Sequence, residues 1–205
     1  MKKVRIIIFA KAPLAGLSKT RLIPALGLDT TERLAKQLFE HSLKQARIAD
    51  VGKVELCVTP ELVHPIWQTL GIPETIILSE QVKGDLGMKM SKSASMALEK
   101  GESVLLIGTD CPQLNYDSLR QAALFLQTHD ACMIPVSDGG YCLLGLNKYD
   151  ESVFKDIAWS TSTVAEITKQ RLGMLGWSVR EMGLMHDIDE PSDLKWLPKS
   201  WQLTD

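Results

Sequence analysis

The chain has 205 residues, 45% of them hydrophobic and 23% charged, with a formal net charge of -2. This composition supports a buried core and excludes a chain disordered throughout, and the near-balanced charge excludes a global pull towards nucleic acid or an anionic membrane. No apolar stretch approaches the roughly 20 residues that cross a bilayer, and VRIIIFA, after only two lysines, is shorter than a signal sequence, so a cytoplasmic protein is expected.

In chain order, apolar and β-branched runs at 4–10, 53–59, 74–79, 103–109 and 131–136 read as strands. Four of them are continuous or nearly so, as in strands covered on both faces. Helical spacing fills the gaps at 30–47, 60–70, 88–100 and 116–128, with Thr30 or Thr31 as the N-cap of the first helix. This β-α-β series predicts a mainly parallel sheet. After Val136 the rhythm changes, because SDGG is a turn signal and YCLLGL a returning strand. A helix at 163–172, the segment WSVREM and a last helix from about Pro191 complete one domain over 1–198, with 199–205 as a poorly ordered tail.

In an open α/β sheet, ligands bind beyond the carboxyl ends of the parallel strands. The residues there are polar. After the first strand come Lys11, Gly16, Lys19 and Arg21; after the third, QVKGDLG with Gly84, Asp85 and Gly87; after the fourth, Asp110; after the fifth, Asp138, Gly139 and Gly140. The first loop is not a Walker A loop, because Ser18 and Pro13 stand where glycines are required, and it is not GxGxxG. Its three cations either neutralise phosphate oxygens, with Arg21 two-pronged and the lysines as point charges, or form a solvated basic loop.

Each acid also has two readings. Asp110 either binds a ligand or caps a turn before the next helix. Asp187 and Asp189 share one face if HDIDEP is extended, although Asp189 could instead cap a helix at Pro191. Asp138 with Gly139 and Gly140 is either a close-approach ligand loop or a hairpin turn. Trp159, Ser160 and Thr161 either touch substrate or cap a helix. Taken together, cations on one loop and carboxylates on others fit a site where Mg²⁺ or Mn²⁺ bridges acids to substrate phosphates. Cys57, Cys111, Cys132 and Cys142 show no CxxC pair and read as reduced packing residues. His186, beside Asp187, reads as structural.

The ordered set FAKAP, G, KTRL, GDLG, IGTDCP, DGGY, WST and DIDEPSDL, spanning Phe9 to Leu194, resembles a bacterial glycosyltransferase-like family. That family is the type associated with radical-SAM and selenoprotein domains, a branch of the nucleotide-diphospho-sugar transferase (GT-A) fold. It is similar, more distantly, to phospholactate and molybdenum-cofactor guanylyltransferases. The resemblance implies a Rossmann-like α/β domain. It also implies that Lys11, Gly16, Lys19 and Arg21 line nucleotide phosphates, while Gly84, Asp85 and Gly87 seat the nucleotide. Asp110, Asp187 and Asp189 would hold the metal, and Asp138, Gly139 and Gly140 would face the sugar or acceptor. Lys89 stands where the family commonly has Arg, which keeps the charge and loses a bidentate contact.

The expected function is a metal-dependent transferase with a nucleotide donor and a small-molecule acceptor, with Lys19, Arg21, Asp110 and Asp138 as the catalytic set. Glycosyl transfer from an NDP-sugar comes first. Nucleotidyl transfer from an NTP, releasing pyrophosphate, is the alternative, favoured by KTRL and by a single Asp in GTDCP where many glycosyltransferases carry DxD. A non-catalytic nucleotide-binding module is the third.

Overall fold

Seven strands form one sheet in the structure, a computed structural model that describes residues 3–201. In chain order the elements are β1 (Val4–Lys11), α1 (Ile23–Leu26), α2 (Leu28–Ala49), β2 (Gly52–Thr59), α3 (Ile66–Thr69), β3 (Ile77–Glu80), α4 (Leu86–Glu99), β4 (Ser103–Ile107), α5 (Tyr116–Phe125), β5 (Ala131–Pro135), β6 (Tyr141–Leu146), α6 (Val164–Met174) and β7 (Val179–Glu181). The sheet order is β3-β2-β1-β4-β6-β5-β7. Only β6 runs against the others, pairing antiparallel with β4 and β5. The expected α/β class with a mainly parallel central sheet is therefore found.

Period-two alternation divides the core into two layers. Ile6, Ile8, Leu105 and Ile107 meet Phe39 and Leu43 of α2 and Leu119 and Ala122 of α5 on one face. Ile7 and Leu106 meet Met90, Ala94 and Ala97 of α4 on the other. The central strands β1 and β4 are buried on both sides and so read as unbroken apolar runs. All four cysteines are free and buried, as packing residues should be.

The structure departs from expectation where proline governs local geometry. The expected helix at 60–70 shrinks to Ile66–Thr69, because Pro65 has no N–H for a helical bond and residues 61–64 close a turn instead, His64 N donating to Glu61 O at 2.9 Å. The third strand begins at Ile77 rather than Glu74, since Ile76 N is taken by Pro73 O in a turn. The first long helix starts two residues early, with Gly27 in the N-cap position and Thr31 donating back to the Gly27 carbonyl. The last helix is a 3₁₀ segment, Pro191–Trp196. WSVREM supplies β7, parallel to β5. Of the tail expected at 199–205, residues 202–205 lie outside the described residues. Among the described residues, no helix is long and apolar enough to cross a membrane.

Candidate active site

A cleft of about 540 Å³ opens at the carboxyl edge of the sheet, lined among others by Lys11, Ser18, Lys19, Arg21, Lys89, Asp110, Asp138 and Asp189. The loops after β1, β3, β4 and β5 thus converge, as the strand directions require. A larger hollow of about 810 Å³ lies at the opposite edge, lined by Val4, Ala49, Val51 and Leu124. Its charged residues are Asp50 and Arg120, and the Arg120 guanidinium is engaged by the Ile48 and Ala49 carbonyls. The carboxyl edge therefore gathers more charged side chains than the opposite hollow does.

Lys19 is the centre of the cleft. Its Nζ lies 2.6 Å from Asp110 Oδ1 and 2.7 Å from Asp189 Oδ1, and its side chain is only 6% exposed. Burial opposes the ammonium's charge, but the Asp110 and Asp189 carboxylates outweigh it, so its pKa is held above the ordinary value. The residue is also left-handed, with φ 54° and ψ 33°. For a side chain other than glycine this costs about 1 kcal/mol and is retained where the surroundings over-determine it.

Those surroundings form a small apolar cluster of fully or almost fully buried Leu22, Leu34, Leu38 and Ile188. Leu22 anchors the short 3₁₀ turn Thr20–Leu22 against α2, which fixes Lys19 in the cleft and the exposed Arg21 at its rim. Ile188 is the buried residue between two acids. In extended backbone its neighbours point the opposite way, so burying Ile188 turns Asp187 and Asp189 outwards together. Ile188 N donates to Asp110 O at 2.9 Å, which ties this segment to the loop after β4.

The acids settle into two overlapping groups. Ligand oxygens of Asp138, Asp187 and Asp189 all lie within 4.8 Å of one another. Asp110 is instead held by Lys19, which it shares with Asp189. Burial pushes the Asp187 carboxyl up to about 6, and the nearby charges of Asp138 and Asp189 add to the shift. Three hard oxygen donors this close suit a small divalent cation. At bond lengths of about 2.0–2.1 Å, octahedral ligand oxygens stand roughly 3 Å apart when adjacent and about 4 Å when opposite. The donor set therefore fits Mg²⁺ or Mn²⁺ with small side-chain adjustments.

The other expected residues have distinct placements. Arg21 is 70% exposed and lies 3.6 Å from Glu190, leaving its guanidinium largely free to meet a ligand. Lys11 ends β1 with an exposed side chain in the cleft. Gly16 is left-handed (φ 74°) in the turn before Ser18. Gly84 lines an adjoining recess of about 260 Å³ with Glu80, Gln81 and Lys83. Asp85 caps α4, accepting from Met88 N at 2.8 Å, and Gly87 makes room for Trp159 and the Phe154 carbonyl; both line a separate hollow. Gly139 (φ 90°) lies where a Cβ would come within 2.0 Å of Ser162 O, and Gly140 N donates to Asp138 Oδ1 at 2.8 Å. The loop after β5 is thus both a hairpin turn and a wall of the cleft.

Asp110 and Asp189 do not cap the helices that follow them: Asn115 caps α5, and Glu190 with Asp193 forms a capping box. His186 stacks on Trp196 at 3.6 Å and meets Ser137 Oγ at 2.9 Å, a structural histidine.

Sequence reasoning placed Gln81, in QVKGDLG, at the ligand edge without giving it a role, and did not single out Thr109 and Phe9 as lining residues. Gln81 Nε2 donates to Ala10 O and Cys57 O, bridging the ends of β1 and β2. Ser160 lines the cleft in left-handed backbone, φ 63°. Ser18 Oγ, also lining it, is buried without a hydrogen-bond partner among the described residues.

The family model for DUF2064, described as an uncharacterized protein conserved in bacteria, matches residues 42–161. The chain belongs to this family. A candidate nucleotide-diphospho-sugar transferase of Desulfovibrio desulfuricans G20 superposes with a TM-score of 0.85 at 27% identity, covering 93% of this chain and 84% of that one. Rv0371c of Mycobacterium tuberculosis H37Rv, in its complex with manganese, aligns with a TM-score of 0.57 at 14% identity, covering 97% and 100%. A cytidylyltransferase of Leptospira borgpetersenii serovar Hardjo-bovis (strain JB197) gives 0.59 at 14%, covering 99% and 91%. The last two show the fold alone. No curated protein matches the sequence significantly. This DUF2064 chain thus has the nucleotide-diphospho-sugar transferase fold.

Proposed function

We propose that the chain is a single-domain, metal-assisted transferase that moves a glycosyl group from a nucleoside diphosphate sugar to a small-molecule acceptor. The observation that carries the reading is the meeting, in one cleft, of Lys11, Lys19, Arg21 and Lys89 with Asp110, Asp138 and Asp189. The similarity to the Desulfovibrio protein supports the donor class.

In this reading Arg21, Lys11 and Lys89 meet the donor's phosphates. Lys19 neutralises Asp110 and Asp189 and so reduces the negative charge that the cleft turns towards the diphosphate. Mg²⁺ or Mn²⁺, held by Asp187, Asp189 and Asp138, would supply positive charge to the departing diphosphate. Asp138 is exposed at the rim, and the carboxylate oxygen that it does not give to the metal would take the acceptor hydroxyl's proton. The anomeric C–O bond to phosphate breaks, a C–O bond to the acceptor forms, and the nucleoside diphosphate leaves. Asp85 and Gly87 act through α4 by fixing its start, and Gly84 is the member of that motif nearest the donor.

A second reading, nucleotidyl transfer from an NTP, draws support from two observations. Three cations, Lys11, Arg21 and Lys89, line the cleft beyond the Lys19 ion pairs, enough for a triphosphate, and the loop after β4 carries Asp110 without a DxD partner. A thermal-shift series with Mn²⁺ and either NDP-sugars or NTPs separates the two. A ligand at 100 times its Kd adds about 2.7 kcal/mol. Stabilisation by NDP-sugars supports glycosyl transfer, stabilisation by NTPs alone moves the assignment to nucleotidyl transfer, and no shift with either class removes both.

A further inference from the structure

Behind the acidic site, three sulfurs from distant parts of the chain meet. Cys111 follows Asp110 after β4, Cys142 lies in β6, and Met185 precedes Asp187 by two residues. Cys111 Sγ lies 3.9 Å from Met185 Sδ and Cys142 Sγ lies 4.0 Å from it. The two thiols lie close enough to influence one another electrostatically. Both cysteines are buried, at 4% and 8% exposure, while Met185 is half-buried and leaves one side of the group approachable.

These spacings have a chemical meaning. Two sulfurs each about 2.3 Å from a shared three-coordinate metal stand about 4.0 Å apart, which is the separation of each thiol from the Met185 sulfur. The backbone holds Met185 in place: Met185 N donates to Pro135 O at 3.0 Å, and Ser137 N to Met185 O at 3.2 Å. We propose that Cys111, Cys142 and Met185 form a binding site for a soft monovalent cation of the Cu(I) class, separate from the hard-cation site of the cleft. Thiolate and thioether ligands select Cu(I), whereas the carboxylates of the cleft suit Mg²⁺ or Mn²⁺. On binding, Cu(I) takes both thiolates and the Met185 thioether, and two thiol protons leave to solvent. No change of oxidation state is involved. Because the ligands adjoin Asp110 and Asp187, an occupied site would tie the end of β4 to the segment carrying Asp187 and Asp189.

The test is an anaerobic titration of the reduced full-length protein with the coloured Cu(I)–bicinchoninate complex. One equivalent of Cu(I) should be withdrawn per chain. The near-isosteric Met185→Leu should fold as the parent does and weaken Cu(I) binding tenfold or more, and Cys142→Ala should abolish it. The double variant Cys57→Ala/Cys132→Ala should retain the parent stoichiometry. Failure to withdraw Cu(I), or parent-like affinity in folded Met185→Leu, overturns the proposal. The readout needs no nucleotide and stands whether or not the transferase reading holds.

Discussion

Replacing Lys19 by Met removes a cation while keeping most of the side chain's volume. Lys19 makes ion pairs at 2.6 and 2.7 Å and is 6% exposed, whereas the side chains of Asp110 and Asp189 are 46% and 42% exposed. Breaking a fully buried pair by removing one partner costs about 3–5 kcal/mol. Here water reaches both orphaned carboxylates, and screening reduces the expected loss to about 2 kcal/mol. For a chain of this size that lowers Tm by roughly 4–8 °C. The variant should also recover more stability from added Mn²⁺ than the parent does, because the metal then meets carboxylates that no ammonium neutralises. Differential scanning calorimetry with and without Mn²⁺ measures both effects. A Lys19→Met protein with parental Tm and parental response to Mn²⁺ would refute the idea that this lysine organises the acids.

Three further outcomes follow from the geometry. Ile188→Ala should cost about 3 kcal/mol in chemical denaturation and also weaken Mn²⁺ binding, since Ile188 aims Asp187 and Asp189. Leu172→Ala, fully buried in the other layer, should cost similar stability and leave Mn²⁺ affinity unchanged, and equal affinities in both variants would remove the positioning role. Gly139→Ala places a Cβ 2.0 Å from Ser162 O at φ 90° and should destabilise by about 2 kcal/mol or more, a loss that thermal unfolding would show or deny. Asp187 sits at about 6 instead of 3.8, so the fold favours its protonated form. Its contribution to stability is present below the unfolded value and is lost as pH rises through 6. Metal binding has the opposite sign, because it needs the carboxylate: Mn²⁺ affinity should rise from pH 4.5 to about 6 and level off above, and a flat profile would separate Asp187 from the metal.

The strands and the convergence of their carboxyl ends were legible in the sequence because β1 and β4 are buried on both faces and show it as unbroken apolar runs. The hairpin after Val136 was legible in its glycines. Less legible were the segments where proline decides: Pro65 cut a helix to one turn and Pro73 delayed β3. The residue types at the site were visible, but not their partners. Lys19, Asp110 and Asp189 are joined across as many as 170 positions, and nothing local announces that pairing. Nor does any spacing place Asp138 beside Asp187 and Asp189. The signal that did exist was the apolar Ile188 between two acids, an alternation that suits extended backbone. Asp85 and Gly87 illustrate the converse, where a motif suited to ligand binding performs helix capping and packing.

The most direct test of the account is isothermal titration of the protein with a nucleoside diphosphate, the group common to every NDP-sugar donor, with and without Mn²⁺. The account predicts binding that strengthens tenfold or more with the metal, weakens in Arg21→Ala, and loses its metal dependence in Asp189→Asn. Absence of binding, or binding indifferent to Mn²⁺ and to both substitutions, would contradict it.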